Sequence, residues 1–255
     1  MSKTTRLLTL IPLIAAICLS GYNLWSISDR YVQEAQIKDD LSKYRPATLT
    51  AAAASKPPEG FPTKKIEETE EIVNIQIKDL QNDVNNDIVG WMDIPDTRID
   101  YPFVITDDNN YYLRRDLYGK QAAAGSLFMD YRCDKDFNNF NTIIYGHNMK
   151  NGSMFGDLKL FADEWFFESN TRGTVALRDK TYTAEFFAYM VIRADDNLIF
   201  DTSAERGEFF AHIKKNARHY REPDMDGRVL TLSTCSYEFN DARIVLLANL
   251  TILKP

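Results

Sequence analysis

Two β-type segments near the C-terminus constrain the fold of this chain most strongly. Arg228–Cys235 and Ala242–Leu253 alternate β-branched and apolar residues as strands do. The link between them, residues 236–241, is short and mostly polar, so we expect the two strands to pair as neighbours. Cys235 and Arg243 then emerge at the same edge of one sheet. Period-two alternation places Arg243, Val245 and Leu247 on one face and Ile244, Leu246 and Ala248 on the other.

The segments that precede this pair predict a mainly β protein with flanking helices. Six further strands are expected, at Val89–Ile94, Arg98–Ile105, Ser126–Tyr131, Thr142–Tyr145, Thr174–Leu177 and Thr181–Arg193. About eight strands with short connections favour a closed or nearly closed β-barrel. Helical patterns are expected at Lys64–Asn85 (stripe Ile66, Val73, Ile77, Leu80), at Ser203–Tyr220 (Phe209, Phe210 and Ile213 facing the core), and as short helices near Asn110–Asp116 and Met154–Phe161.

Three side chains in the strand-end segments suggest acyl-transfer chemistry. Cys235 at a strand end is a candidate nucleophile that attacks a peptide carbonyl and forms a thioester. His147 follows Gly146 at a strand exit and can move protons to and from amines. Arg243 can hold a carbonyl oxygen as negative charge builds on it. Taken singly, each has a simpler reading: a packed cysteine, a solvated loop histidine, and an arginine paired with Asp241 or Glu238.

Several separate motifs resemble the sortase family of cysteine transpeptidases. They are TLSTC at 231–235, YGHNM at 145–149 and DAR at 241–243, and the order His, Cys, Arg also matches. The likeness to class B sortases is carried by GSLFMDYR at 125–132, by TLSTCSYEF at 231–239, and by the predicted long helix before the penultimate strand. The resemblance covers roughly residues 85–255. It implies an eight-stranded sortase-type barrel that begins with a packing helix.

The same resemblance implies a reaction and a substrate groove. Cys235 is expected as the nucleophile, His147 as the general acid and base, and Arg243 as the stabiliser of the carbonyl oxygen. Groove positions are implied at Asn109, Leu113, Tyr145, Ser233 and Thr234; the first two are matched only by their Asn-x-x-x-Leu spacing. The substrate is a secreted protein with a C-terminal sorting signal of the Asn/Ser-Pro-x-Thr-Asn/Gly type, cut after Thr. No cofactor or metal is required.

The identity of the acceptor is left open by the sequence. The acyl group passes either to an amine of peptidoglycan precursor, which anchors the protein to the cell wall, or to a lysine of another subunit, as in a pilin polymerase. A non-catalytic surface binding module is a third reading, against which the intact set of three residues argues. A papain-like protease expects the Cys early and the His late, which is the reverse of the order here.

The N-terminus predicts a single-pass membrane anchor with the enzyme outside the cell, and the sortase resemblance implies a Gram-positive cell. Lys3 and Arg6 precede an uncharged run, Leu7–Ile27, which as a helix spans ~30 Å, about one hydrocarbon core. Positive charge before the run keeps the N-terminus in the cytoplasm. A cleaved signal peptide is the alternative, but no small-x-small site follows the run, and Ile17 is unsuited to a lipoprotein site at Cys18.

This organisation predicts three regions: the anchor at 1–28, an extracytoplasmic helix and flexible spacer at 29–63, and a catalytic domain at 64–255. The net charge is −7, and the acidic balance argues against a nucleic-acid partner. Cys133 is expected as a free thiol in a polar loop, with a Cys133–Cys235 disulfide as the less favoured reading. His212 and His219 are expected on the surface of the long helix, with no metal-ligand spacing.

Overall fold

The computed structural model describes residues 3–49, 74–235 and 238–253, except for the side chains of residues 3–15, 27, 30, 31 and 34. These residues form two compact units, one that ends at Lys43 and one that begins at Tyr44. The first unit consists of helix α1 (Lys3–Ser42), which contains the apolar run of the predicted anchor. Over the residues described, the structure has no helix with both the length and the apolar character needed to cross a membrane.

The second unit is built around a closed barrel. Its described part contains the strands β1 (Ile88–Asp93), β2 (Asp100–Val104), β3 (Leu127–Met129), β4 (Asn141–Tyr145), β5 (Arg172–Leu177), β6 (Thr181–Arg193), β7 (His219–Tyr220), β8 (Arg228–Cys235) and β9 (Ala242–Ile252). Eight of them follow the order β5-β1-β2-β3-β4-β8-β9-β6, and β5 pairs with β6 to close the ring, while the two-residue β7 adds to the outside of β6. The predicted eight-stranded barrel with flanking helices is therefore confirmed. Closure gives each of these eight strands a hydrogen-bonded neighbour on both sides.

The two C-terminal strands pair as the sequence predicts. β8 and β9 are antiparallel neighbours, and Cys235 lies directly opposite Arg243. Ile244, Leu246 and Ala248 face the barrel core, whereas Val245 and Leu247 pack in a second cluster outside the barrel. Both faces of these strands are covered, which explains why their apolar character is almost continuous.

In the described part of the second unit, the barrel strands are accompanied by three α-helices, α2 (Ile75–Asp83), α3 (Glu164–Ser169) and α4 (Arg206–Asn216), and by two 3₁₀ helices at Tyr111–Arg114 and Gly156–Ala162. Within α2, Ile77 and Leu80 are fully buried, as the stripe predicts; Ile66 and Val73 lie outside the described residues. Within α4, the residues Phe209, Phe210 and Ile213 are buried as predicted, in the cluster that covers the outer face of the sheet.

The predicted extent of the last helix, Ser203–Tyr220, is wrong at both ends. The Glu205 side chain accepts hydrogen bonds from the backbone N–H groups of Gly207 and Glu208, so it caps α4 and starts the helix. At the other end, the chain leaves the helix after Asn216 and forms β7, in which His219 pairs with Tyr189 of β6. Pairing with a distant strand overrides the local helical pattern there.

Part of the predicted spacer is packed in the second unit. Arg45 forms ion pairs with Asp93 (3.0 Å) and Asp100 (2.9 Å), which lie at facing positions of β1 and β2. Leu49 is fully buried. Residues 50–73, which include the rest of that spacer, lie outside the described residues, so the division at residue 63 stays a prediction.

Candidate active site

A cleft of about 620 Å³ opens at the C-terminal ends of β4 and β8. These two strands are parallel, and Tyr145 is paired with Ser233, so the residues that follow each strand leave the sheet at the same edge. All eight residues singled out from the sequence border this cleft. They are Asn109, Leu113, Tyr145, His147, Ser233, Thr234, Cys235 and Arg243.

Cys235 and Arg243 are brought together by the register of β8 and β9. Directly opposed residues of an antiparallel pair point to the same face, so the thiol and the guanidinium share one side of the sheet. Cys235 is exposed to solvent, while Arg243 is half-buried. The Arg243 Nη1 atom donates to the carbonyl of Ala242 (3.0 Å), and no carboxylate of the described chain forms an ion pair with Arg243. The guanidinium therefore keeps donors for a ligand.

His147 is held in place by a hydrogen bond to Leu113, which also borders the cleft. Its Nε2 atom lies 2.6 Å from the carbonyl oxygen of Leu113. A carbonyl can only accept, so Nε2 carries the hydrogen, and Nδ1 is the nitrogen left for proton transfer in the neutral ring. Gly146 precedes it because a Cβ there would lie 2.4 Å from the Leu127 side chain and 2.8 Å from Phe155.

Asn148 connects the histidine loop to the nucleophile strand. Its Nδ2 atom donates to the backbone carbonyl of Cys235 at 2.7 Å. This bond spans the opening between the ends of β4 and β8 and joins the residue next to His147 to Cys235 itself. Sequence reasoning gave Asn148 no role, although its place beside His147 in the YGHNM motif was the available signal.

The groove positions differ in what they present to the cleft. Phe128, Tyr145 and Ser233 share one face through strand register, and the Phe128 and Tyr145 rings lie 5.5 Å apart. The Ser233 hydroxyl is buried without a hydrogen-bond partner in the described chain, so a ligand could satisfy it. Thr234 lies on the opposite face with Ile244, so its side chain points away from the face that carries Tyr145 and Ser233.

A buried carboxylate, Asp130, lies at the wall of the cleft beside Tyr145. It accepts hydrogen bonds from Arg132, Asn109 and Tyr145. Burial acts to raise the pKa of Asp130, but the hydrogen bonds and charge of Arg132 outweigh it, so the pKa is lowered. Burial, with the Asp130 charge nearby, raises the pKa of Tyr145 and keeps the phenol protonated. Both Asp130 and Arg132 lie in the GSLFMDYR segment, which resembles class B sortases but in which the sequence predicted no site residue.

Cys133, His212 and His219 do not border this cleft. Cys133 is a free thiol as predicted, but it is buried rather than in a polar loop, and burial raises its pKa to about 11. His212 and His219 are half-buried rather than on the surface: His212 bonds Asp196, and His219 stacks on Phe167. Over the described residues, no group of His, Cys, Asp and Glu side chains is arranged to hold a metal ion.

Comparisons with known proteins identify the family to which this fold belongs. The family model of the Sortase domain matches residues 92–251. Sortase B of Listeria monocytogenes is 36% identical over 181 residues, which are 68% of this chain and 73% of that protein. The crystal structure of sortase B from B. anthracis in complex with AAEK1 superimposes with a TM-score of 0.69 at 32% identity, covering 89% of this chain and 99% of that one. A Streptococcus pyogenes class B sortase involved in pilus biogenesis gives a TM-score of 0.64 at 30% identity, covering 69% and 98%.

The barrel and the matches together define a cysteine transpeptidase. This chain belongs to the sortase family. Its relatives are class B sortases, and it is a sortase B-type enzyme.

Proposed function

We propose that this enzyme cleaves a C-terminal sorting signal of a secreted protein after Thr and transfers the new acyl end to an amine of peptidoglycan precursor. The observation that supports the proposal most directly is the cross-strand pairing of Cys235 with Arg243 at a cleft that His147 also borders. A thiol, a proton carrier and a fixed cation at one edge are the groups that acyl transfer through a thioester needs.

The proposed reaction has two halves. In the first, the thiol proton of Cys235 moves to Nδ1 of His147, and the thiolate adds to the carbonyl carbon of Thr. The peptide C–N bond between Thr and the next residue then breaks as His147 returns that proton to the leaving amine. In the second, the acceptor amine attacks the thioester, His147 takes its proton, and the C–S bond breaks to release Cys235. In both halves, Arg243 donates hydrogen bonds to the carbonyl oxygen while it carries negative charge. No cofactor enters these steps.

The proposed substrate has the form Asn/Ser-Pro-x-Thr-Asn/Gly. Asn109, Leu113, Tyr145, Ser233 and Thr234 are the proposed contacts along the groove. The support is their common position around one cleft and the unpartnered Ser233 hydroxyl. The peptide would lie along the wall formed by the ends of β3, β4 and β8.

The acceptor has one serious alternative. The similar class B sortase of Streptococcus pyogenes is described as involved in pilus biogenesis, which favours a lysine of another subunit as a second candidate. A non-catalytic binding module is disfavoured because the thiol is exposed at the cleft and the set of three residues is intact.

The proposed location is the outer face of the cell membrane, with a single-pass anchor at 1–28 and a cytoplasmic N-terminus. The support is Lys3 and Arg6 before the uncharged run at 7–27. The anchor would hold the barrel near emerging substrates and wall precursors. Protease added to intact cells should digest residues after the anchor, whereas protection until lysis would contradict this orientation.

The reaction is tested with the full chain in detergent and internally quenched peptides of the Asn-Pro-x-Thr-Asn and Ser-Pro-x-Thr-Gly forms. Cys235→Ala should abolish cleavage, and hydroxylamine should capture the acyl group as a hydroxamate on Thr. His147→Ala should lower kcat/KM by about 10²–10⁴-fold. Residual turnover near the wild-type rate in the Cys235 variant would remove the thiol from the mechanism. Competition between a wall-precursor amine and a lysine peptide then decides the acceptor.

A further inference from the structure

Asp130 is the most completely buried charged group in the wall of the cleft. It follows β3 directly, and its carboxylate has no exposure to solvent. Five donors converge on its two oxygens. Oδ1 accepts from the Arg132 backbone N–H (3.0 Å) and from Arg132 Nε (2.8 Å), while Oδ2 accepts from Arg132 Nη2 (2.8 Å), Tyr145 Oη (3.0 Å) and Asn109 Nδ2 (3.1 Å).

The charge of this carboxylate is balanced locally. The Nε and Nη2 atoms of Arg132 donate one hydrogen bond to each carboxylate oxygen, and this bidentate arrangement offsets the cost of burying the charge. The lowered pKa of Asp130 means that the group stays ionised across the neutral range. The Arg132 side chain is 42% exposed and borders the cleft, so a bound peptide would meet a guanidinium whose charge Asp130 already balances.

The hydrogen bonds to Asp130 set the direction in which two groove residues point. The Asn109 amide is held at both ends, since its Oδ1 atom also accepts from the backbone N–H of Tyr131 at 3.0 Å. The Tyr145 hydroxyl donates its only hydrogen to Asp130, so it can only accept a hydrogen bond from a ligand. Without these hydrogen bonds, the Asn109 amide and the Tyr145 hydroxyl would have more orientations open to them, at an entropic cost to peptide binding.

The same network joins three walls of the cleft. Asn109 belongs to the connection after β2, and Tyr145 ends β4. Arg132 Nη2 also donates to the carbonyl of Phe200 (2.9 Å) in the connection between β6 and α4. The Phe200 ring lies 6.2 Å from that of Tyr145. One buried carboxylate thus fixes the spacing of segments that are far apart in sequence.

We propose that Asp130 is a positioning residue for peptide recognition: it touches no substrate itself, but it orients Asn109 and Tyr145 and holds Arg132 against the Phe200 segment. The inference rests on the proposed function, because the groove is taken to bind a sorting-signal peptide. It predicts an effect on KM rather than on the reactivity of Cys235.

The test compares Asp130→Asn with a matched control, Asp157→Asn. Asp157 is also a buried carboxylate with an arginine nearby: it accepts from the Arg98 backbone N–H (2.9 Å) and lies 3.6 Å from Arg98 Nη1, but it does not border the cleft. Full-length enzyme in detergent is assayed with the same quenched peptides. The KM of Asp130→Asn should rise about tenfold or more, because at least one buried donor loses its acceptor. Its kcat should change much less, and Asp157→Asn should keep the wild-type KM.

A second readout separates positioning from general damage. The rate at which a methanethiosulfonate reagent modifies Cys235 should be the same in wild type, Asp130→Asn and Asp157→Asn. A slower reaction in Asp130→Asn, an equal rise in KM for both variants, or an unchanged KM in Asp130→Asn would each overturn the proposal. If Asp130→Asn does not fold, the variants Tyr145→Phe and Arg132→Lys are measured in its place. An unchanged KM in both of these variants would also overturn the proposal.

Failure of the proposed function has a different signature. If the proposed function is wrong, the wild-type enzyme cleaves none of the peptides, and the proposed role of Asp130 in binding sorting signals is then wrong as well. Cleavage by the wild type with no KM difference in Asp130→Asn overturns this inference alone.

Discussion

Removal of the Asn148 side chain should slow the reaction far more than it weakens the fold. Asn148 donates a 2.7 Å hydrogen bond to the Cys235 carbonyl at an exposed position. Such a bond contributes about 0.5–1.5 kcal/mol to stability, and the exposed position favours the lower end. Its geometric effect is larger, because it ties the loop carrying His147 to the strand carrying the nucleophile.

The expected loss of rate follows from this geometry. A displacement of roughly 1 Å between reacting groups costs about 10²-fold. His147 remains held by the Leu113 carbonyl, so Asn148→Ala should lower kcat/KM by about 10–100-fold, less than deletion of the imidazole. Asn148→Asp should be at least as slow, because a carboxylate cannot donate to the Cys235 carbonyl.

Asn151 offers a matched control in the same loop. Asn151 is exposed, and its Oδ1 atom accepts from the Ser153 backbone and hydroxyl at 3.1 and 2.8 Å. Asn151→Ala should therefore lower stability slightly and leave kcat/KM near the wild-type value. Steady-state assays with the quenched peptides, together with thermal melts, measure both effects. Equal activity in Asn148→Ala and Asn151→Ala would refute the positioning argument.

Three further predictions follow from the charged groups. Arg243→Lys should lose about 1–3 kcal/mol of transition-state stabilisation, measured from kcat/KM, because lysine lacks the planar guanidinium that donates two hydrogen bonds. Full activity of the Lys variant would mean that Arg243 contributes only its positive charge. The variant without residues 1–63 should have a free energy of unfolding about 2–4 kcal/mol below that of the variant without residues 1–43. The longer deletion removes Arg45 and with it the ion pairs to Asp93 and Asp100. Equal denaturant midpoints of the two variants would contradict this. Asp130 has a lowered pKa, so its contribution to stability is present above its ordinary pKa of 3.8 and is lost as pH falls through the folded-state value. Acid titration should therefore destabilise the wild type more than Asp130→Asn, and parallel titration curves would count against it.

The histidine on β7 shows where local pattern and tertiary context conflict. The segment up to Tyr220 continues the apolar spacing of α4, so the sequence predicts helix. In the structure, His219 and Tyr220 pair with β6, and the His219 ring stacks on Phe167. Helical periodicity is a property of adjacent residues, whereas the competing strand partner is some 30 positions away and leaves no local signal.

The candidate site divides in the same way. Cys235, Arg243 and His147 could be identified because they lie in short motifs at strand ends, and a short link forces β8 and β9 to pair. Asp130 could not be given a role, since its partners Asn109 and Tyr145 come from other segments and meet only when the barrel closes.

The sequence by itself determined the barrel strands, the pairing of Cys235 with Arg243 and the edge at which they emerge. These features depend on period-two alternation and on a short connection, which are local properties of the chain. Only the tertiary structure decided which polar groups surround them: Asn148 on the Cys235 carbonyl and Asp130 beneath the groove. Those contacts join residues from 15 to 87 positions apart, and a buried polar group can be satisfied only by whatever the closed barrel places beside it.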